Sequence, residues 1–298
     1  MTGIICINKD KDITSFGVVS KIRGITGERK AGHTGTLDPM ATGVLPVMLG
    51  GATRFLDYLP DSDKGYRATF VLGKTTDTLD ITGNVTGEYE VKAEGSDVAA
   101  VLEEFKGRIT QLPPMFSAVS VNGKRLYELA RQGIEIEREQ REVEIKKLEL
   151  VDFCENEYTI DVVCSKGTYI RTLIDDIGSR LGCGAVMTSL VRTLAMGFTL
   201  KDCVAISELQ DMKDNNEDFG RVVIDIERMF GVYESVTVSS AQAQRFSNGG
   251  ALAADRIRKQ LTPQIYRVYS PLNVFLGLGE YCREENELKV KRLLTRRD

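Results

Sequence analysis

Apolar positions along the chain alternate between two periods. Residues 4–8 (IICIN) form a short continuous apolar run, which predicts a buried strand. Thr14 then precedes Val18, Val19 and Ile22 at helical spacing, which predicts a helix capped by Thr14 and closed at Gly24 or Gly27. Residues 30–50 are rich in Gly, Thr and Pro and predict an ordered loop that enters a strand. A short helix fits Ala52–Leu59, and Tyr66–Leu72 alternates as a strand does. Ser96 is placed to cap a helix carrying Val98, Val101, Leu102 and Phe105. Pro113 and Pro114 keep residues 111–123 extended, and a helix over Lys124–Gln132 closes at Gly133. Strands follow at Val143–Phe153 and Tyr158–Ser165, then a helix at about Tyr169–Leu181 and a strand at about Ala185–Phe198. Residues 211–218 (DMKDNNED) read as a polar surface connection, and Arg221–Phe230 as a helix. From Val236 onward the pattern changes to short strands and turns, so a boundary is expected near 232–235. Helices and strands mix without a βαβ rhythm, which favours an α+β fold.

Composition narrows the classes. The 298 residues are 42% hydrophobic and 28% charged, ordinary globular values. No uncharged run exceeds 15 residues, too short for a membrane-spanning helix, and MTGIICINKD lacks the features of a signal peptide. Six cysteines are scattered without a CxxC pair, the usage expected of reduced core residues in a cytoplasm. There is one histidine, His33, and no metal-ligand spacing, GxGxxG or GxxxxGK[ST]. The expected chemistry is therefore free of metal and nucleotide cofactors. The net charge of −4 hides a polarity: the last ten residues carry +4 and the remaining 288 carry −8. Local cations of this kind suit a polyanionic partner.

The segment Gly32–Gly43 packs three glycines and three threonines around Asp38 and His33, with Lys21, Arg23, Arg29 and Lys30 just upstream. Taken by itself it fits a structural turn, a phosphate cradle of backbone N–H groups, or a rigid loop presenting one carboxylate. The string GHTGTLDPMATGVLPV resembles the catalytic motif of the TruB family of tRNA pseudouridine synthases. Lys64-Gly65-Tyr66-Arg67-Ala68, Thr76-Asp77-Thr78-Leu79-Asp80 with Gly83, Gln111-Leu112-Pro113-Pro114 through Asn122-Gly123-Lys124-Arg125, Lys166-Gly167-Thr168-Tyr169-Ile170-Arg171 and Leu190-Val191-Arg192-Thr193 resemble further motifs of that family, in its order. Two departures stand in the opening segment, Lys9-Asp10-Lys11-Asp12-Ile13-Thr14-Ser15, where the family usually has Lys-Pro-x-Gly-x-Thr-Ser, and two in the insertion, at Phe116 and Ser120.

The resemblance implies a pseudouridine synthase fold with a mixed, largely antiparallel sheet over 1–232, an RNA-contacting insertion at about 111–142, and a small PUA-like β-barrel over 235–298. It implies isomerisation of uridine to pseudouridine at position 55 in the T arm of tRNA, on a flipped-out base and without cofactor or metal. Asp38 would be the catalytic carboxylate, Arg171 its partner, and Tyr66 the ring stacked on the base. Leu190 would wall the other face, His33 would stabilise the flipped RNA, and Lys9 and Lys64 would contribute to substrate binding. The implied partner is tRNA, through the T arm and the acceptor end. A cytoplasmic monomer with no membrane contact and no obligate protein partner completes the expectation. The alternative is a non-catalytic RNA-binding or tRNA-folding protein on the same fold.

Overall fold

The computed structural model describes residues 1–121 and 123–294; Asn122 of the NGKR segment and the last four residues, with two of the five terminal cations, lie outside the described residues. A nine-stranded sheet runs in the order Gly3–Lys9, Thr42–Leu49, Ala185–Ala195, Lys64–Leu72, Glu157–Cys164, Arg141–Cys154 and Gly107–Gln111, with Ala31–His33 and Phe198–Thr199 paired to its side. Every pairing is antiparallel except that of Thr42–Leu49 with Ala185–Ala195. The sheet is thus mixed and largely antiparallel, and the α+β expectation holds.

Helices cover it where their apolar stripes require. Val18, Val19, Ile22 and Ile25 of helix Ser15–Thr26 pack with Ile206, Leu209 and Met212 of helix Ile206–Asp214 over one end of the sheet. At the other end, Leu173, Ile174 and Ile177 of helix Ile170–Arg180 join Val98 and Leu102 of helix Gly95–Glu104 over Phe70, Ile160 and Met187. The first helix keeps its expected punctuation: the Thr14 hydroxyl accepts from Gly17 N, and Gly27 closes it at φ 72°.

Several boundaries differ from expectation for local reasons. Glu94, in a capping box with Asp97, caps the second helix in place of Ser96. The loop at 30–50 contains a three-residue strand, Ala31–His33, and the Lys124–Gln132 helix contracts to Leu126–Ala130. Helix Ile206–Asp214 runs into the polar 211–218 segment because Met212 completes its buried face. Arg221–Phe230 forms no α-helix: Ile224 bridges Ile4 across the sheet edge, leaving short 3₁₀ turns at Phe219–Arg221 and Ile226–Phe230. The strand expected to reach Phe198 turns back at Met196 and Gly197, both at positive φ.

A second, five-stranded sheet spans Glu234–Leu293, with its own core around Phe246, Tyr266, Val268 and Leu288. It curls as the PUA-like expectation requires, and it also carries a helix, Ser240–Ser247, which the short-strand pattern concealed. Phe275, Leu278 and Tyr269 on this sheet pack with Phe55, Phe198 and Phe230, so the two sheets share an apolar seam.

Candidate active site

Where the two motif loops meet the sheet, a cavity of about 390 Å³ opens; its walls include Leu37, Asp38, Lys64, Tyr66, Arg171 and Leu190. Five of the seven expected site residues therefore converge on one space. Tyr66 and Leu190 come from adjacent antiparallel strands, with Tyr66 opposite Arg192 and Leu190 opposite Ala68. Both are buried, and both line the cavity.

Asp38 sits at the end of a loop fastened from below. The Ser15 hydroxyl accepts from Leu37 N at 2.8 Å and donates to Leu37 O at 3.1 Å. Lys9, almost wholly buried, donates its ammonium to the carbonyls of Asp10, Pro39 and Ala41 at 2.9, 3.0 and 2.5 Å. Lys9 is accordingly under the loop and not in the cavity wall. Burial pushes its ammonium down to about 8, against the pull of Asp10, Asp12 and Asp38. The Asp10/Asp12 departure leaves the turn intact: Asp12 adopts φ 63°, a conformation Asp tolerates better than most residues, and its N–H reaches Pro39 O at 2.8 Å.

Arg171 closes the site. Its Nε meets Asp38 Oδ2 at 2.9 Å and its Nη2 meets Asp38 Oδ1 at 3.2 Å, a bidentate fork. Its other donors reach Thr78 O at 2.9 Å and Phe116 O at 2.8 Å, and Asp80 lies 3.6 Å from Nη1. One guanidinium thus ties together the Asp38 loop, the Thr76–Gly83 turn and the 111–142 insertion. Burial pushes the Asp38 carboxyl above its ordinary value, while Arg171 pulls the other way. Tyr66 is pushed up to about 12 by burial, with Arg192 opposing, so the phenol stays protonated at neutral pH.

Three motif residues with no role expected of them build this geometry. Asp80, buried, accepts from Thr78 Oγ1, Thr82 N and Thr82 Oγ1 and faces Arg171. Gln111 clasps the backbone of Tyr169 in both directions, at 3.2 and 3.0 Å, at the start of the helix that carries Arg171. Arg192, 1% exposed, donates to the carbonyls of Gly35, Thr36 and Val44 and so backs the loop from behind. Gly43 must be glycine there: at φ +99°, a Cβ would lie 2.3 Å from Arg192 O. Their signal in the sequence was membership of the motifs; their remote partners, 58 to 157 positions away, were not readable from spacing.

His33 is not in the cavity wall. It ends strand Ala31–His33, half-buried, with Nδ1 unpartnered among the described residues; burial and the nearby Arg192 charge push its pKa down. Lys64 lines both the main cavity and a neighbouring one of about 320 Å³, and burial lowers its pKa. The described terminal cations are engaged: Lys289 pairs with Glu285, Lys291 with Glu280 at 2.6 Å, and Arg292 donates to Arg54 O at 2.7 Å. Among the described residues no cluster of His, Cys, Asp and Glu is arranged to hold a metal ion, and no helix is long and apolar enough to cross a membrane.

Comparison with known proteins agrees with this construction. Residues 23–170 match the model of the TruB family pseudouridylate synthase N-terminal domain, residues 171–230 the tRNA pseudouridylate synthase B C-terminal domain, and residues 235–294 the C-terminal model of pseudouridine synthase II TruB. The chain is 43% identical over 295 residues to tRNA pseudouridine synthase B of Clostridium novyi, covering 99% of this chain and 100% of that one. It is 42% identical over 296 residues to the protein of the same name from Pseudomonas fluorescens, covering 99% and 96%. Among solved structures, a chain of a Cbf5-Nop10-Gar1 complex superposes with a TM-score of 0.74 at 26% identity, covering 99% of this chain and 86% of that one. With identity of this level along nearly its whole length, and the motif residues folded into one pocket, the chain belongs to the TruB family of pseudouridylate synthases.

Proposed function

We propose that this protein isomerises uridine to pseudouridine at position 55 in the T arm of tRNA, with Asp38 as the catalytic carboxylate. The observation that carries the reading is the bidentate Arg171–Asp38 pair at the wall of a cavity flanked by Tyr66 and Leu190. In the reaction the C1′–N1 bond breaks, the base turns, C5 bonds to C1′, and the C5 proton leaves while N1 gains one. No electron carrier is consumed. Glycosidic cleavage leaves positive charge on the sugar, which a carboxylate stabilises or captures. Arg171 favours the ionised form that this requires. Tyr66 stacks on the base, and its protonated hydroxyl, close to Arg192, acts as a relay that accepts the C5 proton as it gives up its own. Leu190 covers the opposite face.

The uridine must leave its stack to enter the cavity. In this reading His33, at the end of strand Ala31–His33 and five residues before Asp38, holds the opened RNA, Lys64 meets a phosphate, and Lys9 acts on substrate only by shaping the loop. Residues 1–232 are the catalytic unit and 235–298 an added RNA-binding unit reaching toward the acceptor end. The protein works as a cytoplasmic monomer without metal, cofactor or obligate protein partner. Incubating purified protein with unmodified tRNA and mapping pseudouridine chemically tests this directly. The expected product is a single pseudouridine at position 55; no product, or product confined to another position, overturns the reading.

A further inference from the structure

One polar atom in the cavity wall is fixed in place without anything to bond. Ser117 is 5% exposed and lines the cavity beside Asp38 and Tyr66. Its backbone is held on both sides, since its N–H donates to Met115 O at 2.9 Å and its carbonyl accepts from Tyr127 N at 3.1 Å. The preceding carbonyl, Phe116 O, is held by Arg171. The Ser117 hydroxyl nevertheless has no partner among the described residues. A buried, unpaired hydroxyl is destabilising and rare in native proteins. Ser117 belongs to the cavity lining, so the partner open to its buried hydroxyl is a group that enters there.

Three of the other polar groups in the wall are committed, and Lys64 is left for a phosphate in the reading above. Asp38 and Arg171 bond each other, and Thr168 Oγ1 donates to Ser165 O at 3.0 Å. Leu37, Tyr66, Ile170 and Leu190 are suited to the faces of a ring rather than its edge. A uracil between such faces presents carbonyl oxygens along its edge, and a serine hydroxyl is a donor that can meet one of them. Resting on the reading of this cavity as the uridine site, we infer that Ser117 is a substrate-binding residue whose Oγ–H donates to a uracil carbonyl of the flipped base. The 111–142 insertion then supplies part of the base pocket itself, in addition to any contact it makes with the RNA outside.

The test uses the full-length protein and a T-arm stem-loop carrying uridine, 2-thiouridine, 4-thiouridine or 2′-deoxyuridine at the target. Ser117→Ala should lower kcat/KM on uridine by about 2- to 12-fold, the ratio expected for one neutral hydrogen bond. Its melting temperature should be unchanged or higher, because an unsatisfied hydroxyl is removed; a structural serine would give a lower one. Ser117→Cys, which nearly keeps the volume and weakens the donor, should follow Ser117→Ala and decides the matter if the alanine variant folds poorly. The penalty should disappear on one of the two thio-substrates, since sulfur is a poor acceptor, and persist on 2′-deoxyuridine. Full activity of both variants on uridine overturns the inference. So does a penalty that survives both sulfur substitutions, whether or not it vanishes with the 2′-hydroxyl. If the wild-type protein makes no pseudouridine, the reading of the cavity fails instead, a result separate from any difference between variants.

Discussion

The same strand carries, at Arg67 and Tyr66, the edges of two different worlds, and each holds an arginine–aspartate fork. On the outer face Arg67 meets Asp161 with two bonds of 2.8 Å, the Arg67 side chain 55% exposed. In the cavity Arg171 meets Asp38 at 2.9 and 3.2 Å, with the arginine buried. The outer geometry is the tighter, yet the carboxyls respond in opposite directions: the Arg67 hydrogen bond holds Asp161 below its ordinary value, whereas burial pushes Asp38 above it. Solvent decides the difference. Water screens the outer pair, so its contribution is about 0–1 kcal/mol. The inner pair lies where charge is costly, so Arg171 controls whether Asp38 can be ionised at all.

That contrast can be broken by substitution. Asp38→Asn keeps the shape and removes the charge; single-turnover assays should find no pseudouridine while filter binding finds tRNA still bound. Arg171→Met should lower turnover by at least about 10²-fold and stability by roughly 3 kcal/mol, because Asp38 and Asp80 lose the cation between them. Calorimetry and single-turnover rates read the two effects separately. Tyr66→Phe keeps the ring and removes the hydroxyl, and turnover should fall by about 10²-fold with RNA binding preserved. Arg67→Ala, on the outer pair, should leave the rate within about 2-fold and change stability by less than about 1 kcal/mol. A large catalytic loss from Arg67→Ala would erase the distinction.

Much of this was legible in the sequence, for identifiable reasons. The Thr14 cap, the Val18/Val19/Ile22 stripe and the long strands were visible because local periodicity and burial agree there. Asp38, Tyr66, Arg171 and Leu190 were found through motifs, and they do line one cavity. What escaped depends on contacts remote in sequence. Ile224 bridging Ile4 cancels a helix that its own pattern favours. Arg192 and Gln111 act on carbonyls and amides of distant loops, which no spacing reports. The basic ending, read as local cations suited to a polyanionic partner, is in its described part a strand, Glu287–Leu293, with Lys289 and Lys291 paired to acids. The apolar seam through Phe55, Phe230 and Phe275 also makes cutting near 234 a poor test of that region, since it would bare the seam. Substitutions at its surface are the cleaner approach.

The pH dependence of single-turnover pseudouridine formation on a T-arm stem-loop tests the central claim most directly. With Asp38 as the proposed catalytic carboxylate, the ionised form is the active one, so the rate should fall as pH drops through its pKa. Because burial raises that pKa, the acid limb should lie above the ordinary value of 3.8. Removing the opposing cation in Arg171→Met should move the limb to still higher pH, and Arg67→Ala should leave it in place. A limb that does not move in Arg171→Met would contradict the account.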